Sequence, residues 1–315
     1  MAAEGRFCVM HNHVRKILAV GVVLLCGLAA SGRAVVSYEV RGWREWPKDE
    51  LTPLGRRVLG AGGPWIHAES AHFILHAASE EAIAASVGEA EFSLQKAMWY
   101  VEPARARVLS AESRFADDSR PKAQYFIIEK PRTWRVVQKA ADPSKYSLAM
   151  QLENDVFTFR DTNAPASILR VPHEMAHLAM WRVHGRRLPL WLEEGTAAYV
   201  GWRIAETYHT TSERVLVRAL PPVKAEDALS LAALTAMRRY PETHGAGVAF
   251  YRGAEELVRA IARKTGDDRL GEFLQAVAAG TPWRDVLRER FGFSPVDFQG
   301  LENEVREKTL SETKD

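Results

Sequence analysis

Strand-like patterns stop near residue 161, and this switch constrains the fold more than any other feature of the sequence. Before it, short apolar runs such as His72–Ala77 and Gln124–Glu129 are typical of strands. After it, apolar residues recur at helical spacing, and Gly185 and Gly266 follow two of the predicted helices as C-terminal stops. The sequence therefore predicts an α+β fold, in which a small mixed β-sheet is followed by a mainly helical lobe.

The first 34 residues have the layout of a secretory signal peptide. Arg6, Arg15 and Lys16 precede an apolar run at 17–30, and small residues follow up to Ala34. The run is shorter than the ~20 residues that span a bilayer. We therefore expect export to the periplasm or the extracellular space. Retention of this segment as a membrane anchor, with the domain outside the cytoplasm, is the alternative.

The predicted leader also accounts for the basic balance and for the cysteines. It contains four basic residues and one acidic residue, so its removal turns the net charge of +2 into −1. This balance provides no electrostatic basis for binding nucleic acid. Both cysteines, Cys8 and Cys26, lie in the leader. The mature chain would therefore have neither a disulfide nor a thiolate nucleophile.

After the leader, the chain divides into four predicted segments. They are a polar segment rich in glycine and proline at 35–70, an α/β part at 71–160, a helical part at 161–308 and a polar tail at 309–315. Within the α/β part we predict a helix at Glu80–Val101, a second helix through Trp134 and Val137, and one or two strands in 147–160. The helical part has predicted helices at 165–184, 190–207, 212–219, 226–238, 244–265, 267–279, 282–290 and 294–308.

An H-E-x-x-H motif lies on one of these helices, at His173–His177. Residues i and i+4 share one helical face, so both imidazoles can bind one metal ion. Glu174 sits beside His173 and can act on a water without ligating the metal. The pattern predicts a zinc site with Glu174 as the general base. Because Pro172 precedes the motif, the helix should either kink there or begin there.

A catalytic zinc site of this kind needs a third protein ligand. Met180 and Val183 occupy the positions at which one known pattern requires a glycine and a third histidine, which excludes that pattern. A helix opened by Pro189 offers Glu193 and Glu194 instead, and helical spacing alone does not choose between them. Small residues would let this helix pack closely against its neighbour, namely Gly195, Ala197 and Ala198.

Taken together, the two motifs resemble a known family. The segment Trp191–Tyr199 reads W-L-E-E-G-T-A-A-Y. With the H-E-x-x-H motif, it resembles the gluzincin, or peptidase MA-like, superfamily of zinc metallopeptidases, whose pattern continues W-L-x-E-G-x-A-x-Y. The resemblance covers roughly residues 70–305 and is strongest at 170–200. It implies a zincin-like fold with one zinc ion per chain in a cleft, held by His173, His177 and Glu194.

The resemblance also implies a side chain that stabilises the oxyanion of a tetrahedral intermediate. Tyr251, within the predicted helix at 244–265, and His244, at its start, are the candidates. Tyr199 is expected to pack behind the site. Five other histidines do not complete a metal-binding pattern, and we expect them to be structural or surface residues. They are His67, His72, His76, His184 and His209.

The function implied by the resemblance is that of a secreted or periplasmic zinc metallopeptidase, which hydrolyses a peptide or protein substrate through a zinc-activated water. Two alternatives stay open. One is a non-peptidase metal hydrolase on the same fold, and the other is a non-catalytic zinc-binding or scaffolding relative. Glu174 argues against the second alternative, because a structural zinc site has no use for a base. The sequence does not distinguish an endopeptidase from an exopeptidase.

Overall fold

The fold is seen in a computed structural model, which describes residues 36–41, 51–62, 64–103, 121–141, 148–160, 167–185, 188–209 and 223–311. All of these residues belong to one compact unit, Arg33–Asp315. The predicted leader and the predicted helix at 212–219 lie outside the described residues.

The described strands form a single mixed sheet. They are β1 Glu39–Arg41, β2 Ile66–Glu69, β3 Phe73–Ala77, β4 Ala123–Ile128, β5 Ala149–Leu152 and β6 Asp155–Phe159. Their order across the sheet is β1-β2-β3-β4-β6-β5. The pairs β3–β4 and β4–β6 are parallel, whereas β1–β2, β2–β3 and β5–β6 are antiparallel. The last strand on one side of the described sheet is therefore β5.

The described helices lie mainly after the sheet. They are α1 Pro53–Gly62, α2 Glu80–Val101, α3 Pro131–Ala141, α4 Ser167–His184, α5 Leu190–His209, α6 Leu231–Ala236, α7 His244–Thr265, α8 Leu270–Ala278, α9 Trp283–Phe291 and α10 Pro295–Ser311. Within the described ranges no strand follows β6, which confirms the predicted α+β arrangement. Among these helices, none combines the length and the apolar character that crossing a membrane requires.

Helix α2 shows how local sequence sets an element's limits. The hydroxyl of Ser79 caps its start by accepting a hydrogen bond from the backbone N–H of Ala82, and Glu80 and Glu81 place negative charge in the first turn. At the other end, the N–H of Glu102 donates to the carbonyl of Met98, and Pro103 follows. These signals are all readable in the sequence, and α2 spans the predicted residues.

One hydrophobic core joins the sheet to the helical part. The side chains of β3 and β4 are buried along their whole length. One face of these strands packs with residues of α2, α4, α5 and α7, and the fully buried Trp191 of α5 belongs to the same cluster. The other face of β4, together with Phe157 of β6, packs with α1 and α3. The boundary predicted near residue 161 therefore separates two kinds of secondary structure that share a core.

The segment at 35–70 contributes more to the fold than the sequence predicted. It supplies β1, α1 and β2, and so two of the six described strands. The β2 sequence, Ile-His-Ala-Glu, hides its strand character because His67 is polar yet buried. His67 and His76 of β3 face each other with their Nδ1 atoms 2.7 Å apart, and the Nε2 of His76 lies 2.8 Å from the Oε1 of Gln124. This hydrogen-bonded row satisfies the buried imidazoles.

The predicted helix at 226–238 is shorter in the structure. A 3₁₀ turn covers Ala225–Asp227, and α6 begins only after Ser230. The hydroxyl of Ser230 accepts a hydrogen bond from the N–H of Ala233 at 3.2 Å. Alanine-rich sequence favours a continuous helix, but a serine side chain that bonds to the backbone starts a new one instead.

Asp155 gives the fold a pH dependence. It is 1% exposed at the start of β6, where the hydroxyl of Thr52 donates to its Oδ2 at 2.5 Å. Burial raises its pKa from 3.8 to about 7. The folded state therefore binds this proton more tightly than the unfolded state, and stability is lost as pH rises from 3.8 through about 7.

We expect Asp155→Asn to remove the loss of stability that occurs as the pH rises. The variant should exceed the wild type in unfolding free energy by up to about 4 kcal/mol at pH 8, with little difference at pH 4. Urea unfolding at the two pH values measures both quantities. An effect of equal size at both pH values would contradict the assignment of the pH dependence to Asp155.

Gly195 lets α5 approach α7 closely. A Cβ atom built at Gly195 would lie 2.3 Å from the carbonyl oxygen of Ala254, a separation that real Cβ atoms do not show. We expect Gly195→Ala to lower the unfolding free energy by about 1–3 kcal/mol, because the backbone of α7 must move. Gly247→Ala is the control, since a Cβ there meets nothing within 4 Å, and it should stabilise α7 by about 0.5–1 kcal/mol. Equal thermal stability of the two variants would contradict this reasoning.

Candidate metal centre

Helix α4 carries the H-E-x-x-H motif through a proline without interruption. It runs from Ser167 to His184, and Pro172 lies inside it. The helix therefore does not begin at Pro172, although that residue cannot donate the backbone hydrogen bond to the carbonyl of Ile168. Helix α5 packs directly on this part of α4: a Cβ at Gly201 would lie 3.1 Å from the backbone N and Cα of His173. This contact sets how closely the two helices hold their side chains.

Three side chains from α4 and α5 converge at this contact. The Nε2 atoms of His173 and His177 lie 3.1 Å apart. The Oε2 atom of Glu194 lies 3.5 Å from the Nε2 of His173 and 3.4 Å from the Nε2 of His177. In the part of the chain that the structure describes, these residues form the one group of at least three His, Cys, Asp or Glu side chains placed to hold a metal ion.

The spacing of these atoms fits a tetrahedral zinc ion. Bonds of about 2.05 Å at tetrahedral angles separate neighbouring ligand atoms by about 3.3 Å. The separations of 3.1, 3.4 and 3.5 Å bracket that value. Two imidazoles and one carboxylate are also donors that zinc accepts. His173, His177 and Glu194 can therefore hold the ion, as three protein ligands.

The structure distinguishes between the two adjacent glutamates. Glu194 is 4% exposed, and its Oε2 faces both Nε2 atoms. The side chain of Glu193 is 40% exposed, and its Oε1 lies 3.8 Å from the Nδ1 of His177, which is the ring nitrogen on the other side. Only Glu194 thus joins the convergent group.

Opposite charges stabilise the buried carboxylate of Glu194. Burial by itself raises the pKa of Glu194, but the charges and hydrogen bonds of His177 and His173 outweigh burial and hold the pKa below its ordinary value. Burial likewise lowers the pKa of His177, and Glu194 reverses this and raises it to about 9. A buried carboxylate needs a positive partner, and a divalent cation at the same place would satisfy that need.

Glu174 is buried beside the group without belonging to it. It is 7% exposed, and burial raises its pKa even though His173 and His177 lower it. The backbone N–H of Gln151, in β5, donates a hydrogen bond to its carboxylate. The last strand of the sheet thus lies next to Glu174.

A tyrosine that the sequence analysis missed contacts the group directly. The hydroxyl of Tyr240 donates to the Oε1 of Glu194 at 2.5 Å. Tyr251 stacks on Tyr240 with ring centres 6.4 Å apart and is 37% exposed. Burial and the charges of Glu194 and Glu174 raise the pKa of Tyr251, so it lies within electrostatic reach of the site. His244 is the exposed first residue of α7.

The other tyrosine and histidines discussed in the sequence analysis lie outside the group formed by His173, His177 and Glu194. Tyr199 is buried and donates to the Oδ1 of Asp267 at 2.6 Å. His184 lies with its Nε2 3.2 Å from the carbonyl of Val101. Within the described ranges, none of the histidines expected to be structural joins the convergent group.

In comparisons with known proteins, no family model and no curated protein matches the chain. The resemblance to gluzincins therefore rests on the residues of the two motifs.

The metal content of the purified protein tests the site. We expect about one zinc ion per chain in the wild type. Glu194→Gln should lose most of it, because an amide oxygen is a much weaker ligand than a carboxylate. Glu193→Gln is the matched control and should keep it. Elemental analysis by mass spectrometry measures the ratio, and equal loss in both variants, or no zinc in the reconstituted wild type, would contradict the assignment.

Proposed function

We propose that this protein is a secreted or periplasmic zinc metallopeptidase of the gluzincin type, with a zincin-like fold. The observation that carries the proposal is the convergence of His173, His177 and Glu194 beside Glu174, a buried carboxylate that is not a ligand. A purely structural zinc site is closed by four protein ligands and needs no base beside it. The described residues offer three such ligands and one such base.

Each residue has a role in this proposal. Zinc bound by the three ligands would supply Lewis acidity, which lowers the pKa of a water and polarises a carbonyl. Glu174 takes a proton from the attacking water and later gives it to the leaving amine. Its raised pKa makes it a stronger base than an exposed glutamate. Tyr251 is the first candidate for donating a hydrogen bond to the oxyanion, and His244 is the second.

The resemblance to gluzincins, which are peptidases, supports a peptide as the substrate. β5, the last described strand on its side of the sheet, lies beside Glu174, because the backbone N–H of Gln151 donates to that carboxylate. A substrate held beside Glu174 would therefore lie close to β5.

Glu174→Gln separates catalysis from metal binding. We expect this variant to keep zinc and to lose peptide hydrolysis by a factor of about 10²–10⁴, because the amide cannot accept the water's proton. Digestion of a peptide library, followed by mass spectrometry and normalised to metal content, measures the loss. Glu193→Gln removes a neighbouring carboxylate outside the group of ligands and should keep the activity.

Two results would overturn the proposal. Activity of Glu174→Gln equal to that of the wild type would remove the base from the mechanism. A wild type that holds zinc but cleaves no peptide would favour a non-peptidase metal hydrolase or a binding protein.

A further inference from the structure

The two carboxylate oxygens of Glu194 have different partners. Oε2 lies 3.5 and 3.4 Å from the Nε2 atoms of His173 and His177. Oε1 accepts the hydrogen bond of the Tyr240 hydroxyl at 2.5 Å. A hydroxyl held on one carboxylate oxygen competes with a metal ion for the lone pairs of that oxygen. The contact with Tyr240 therefore favours binding of the metal through Oε2 alone.

We propose that Tyr240 is a positioning residue that holds Glu194 in single-oxygen ligation of the metal. This inference rests on the proposed zinc site and adds a role for a residue outside both sequence motifs. A hydrogen bond from a neutral hydroxyl to a carboxylate is among the stronger kinds in proteins. It would orient the ligand and favour a four-coordinate site, with one position open to substrate.

Two ring contacts orient the side chain of Tyr240, which is 48% exposed. Its ring stacks on that of Tyr251, with an interplanar angle of 23°, and meets the ring of Phe250 edge-on at 86°. Phe250 is fully buried in α7. Helix α7 is in turn seated against Gly195, the residue that follows Glu194. Glu194 and the two aromatic residues that contact Tyr240 thus lie in the same packed pair of helices, α5 and α7.

Tyr240→Phe tests this role, because it removes the hydroxyl and keeps the stacked ring. We expect the dissociation constant for Zn²⁺ to rise by a factor of about 10–100, the usual cost of losing a partner of a metal ligand. Competition with a chromophoric chelator measures this constant on the purified full chain. The Co²⁺-substituted protein supplies a second readout: its visible absorption should weaken in the variant, because two-oxygen ligation raises the coordination number above four.

Tyr199→Phe is the matched control. It lies on the same helix as Glu194, and it removes a phenol donor from another carboxylate, that of Asp267. It should change neither the Zn²⁺ dissociation constant nor the Co²⁺ spectrum. A structural effect of losing a tyrosine hydroxyl would therefore appear in both variants, whereas a positioning effect appears in Tyr240→Phe alone.

The outcomes separate this inference from the proposed function. A wild type that binds neither Zn²⁺ nor Co²⁺ overturns both. A wild type that binds them, together with a Tyr240→Phe variant of unchanged affinity and spectrum, overturns only the role of Tyr240. Equal weakening in Tyr240→Phe and Tyr199→Phe also overturns it. Weakening and a spectral change confined to Tyr240→Phe support it.

Discussion

Close backbone contact between three helices is the constraint on which the site depends. Helix α5 meets the backbone of His173 at Gly201 and the backbone of α7 at Gly195. At neither glycine is there room for a Cβ atom at an ordinary van der Waals distance from the neighbouring helix. Because the ligands project from α4 and α5 at this contact, their separations follow from how closely the helices pack. The carboxylate of Glu194 reaches two imidazoles on a neighbouring helix for this reason.

The packing also concentrates charge where water is largely excluded. Glu174 and Glu194 are both buried, and the core around them is apolar. Removing charged groups from water is unfavourable unless opposite charges or hydrogen bonds replace the lost hydration. The imidazoles and the hydroxyl of Tyr240 meet this need for Glu194, and the backbone of β5 contributes to it for Glu174. Metal binding at this place would therefore be coupled to folding.

Features with local causes could be predicted from the sequence. The first residues of α2 and α7 follow from the capping residues Ser79 and Thr243 that precede them. The shared face of His173 and His177 follows from helical periodicity. Helical spacing left Glu193 and Glu194 both open. The resemblance selected Glu194, and the packing of α5 on α4 turns its carboxylate, rather than that of Glu193, toward both Nε2 atoms. Tyr240 lies in a segment without periodicity and bonds to a residue 46 positions earlier, so no local pattern indicated it. Strand β2 was missed because its buried histidine reads as polar.

The arrangement of the ligands along the chain has a consequence for how the protein folds. His177 and Glu194 are 17 positions apart, on consecutive helices joined by a short connection. The entropy lost in closing a loop grows only slowly with its length, and helix pairs with local contacts form fast. Helices α4 and α5 bring all three candidate ligands together by themselves, whereas Tyr240 lies 46 positions from its partner Glu194. We therefore expect the triad to assemble as an early, local event, before the longer-range contact of Tyr240 forms.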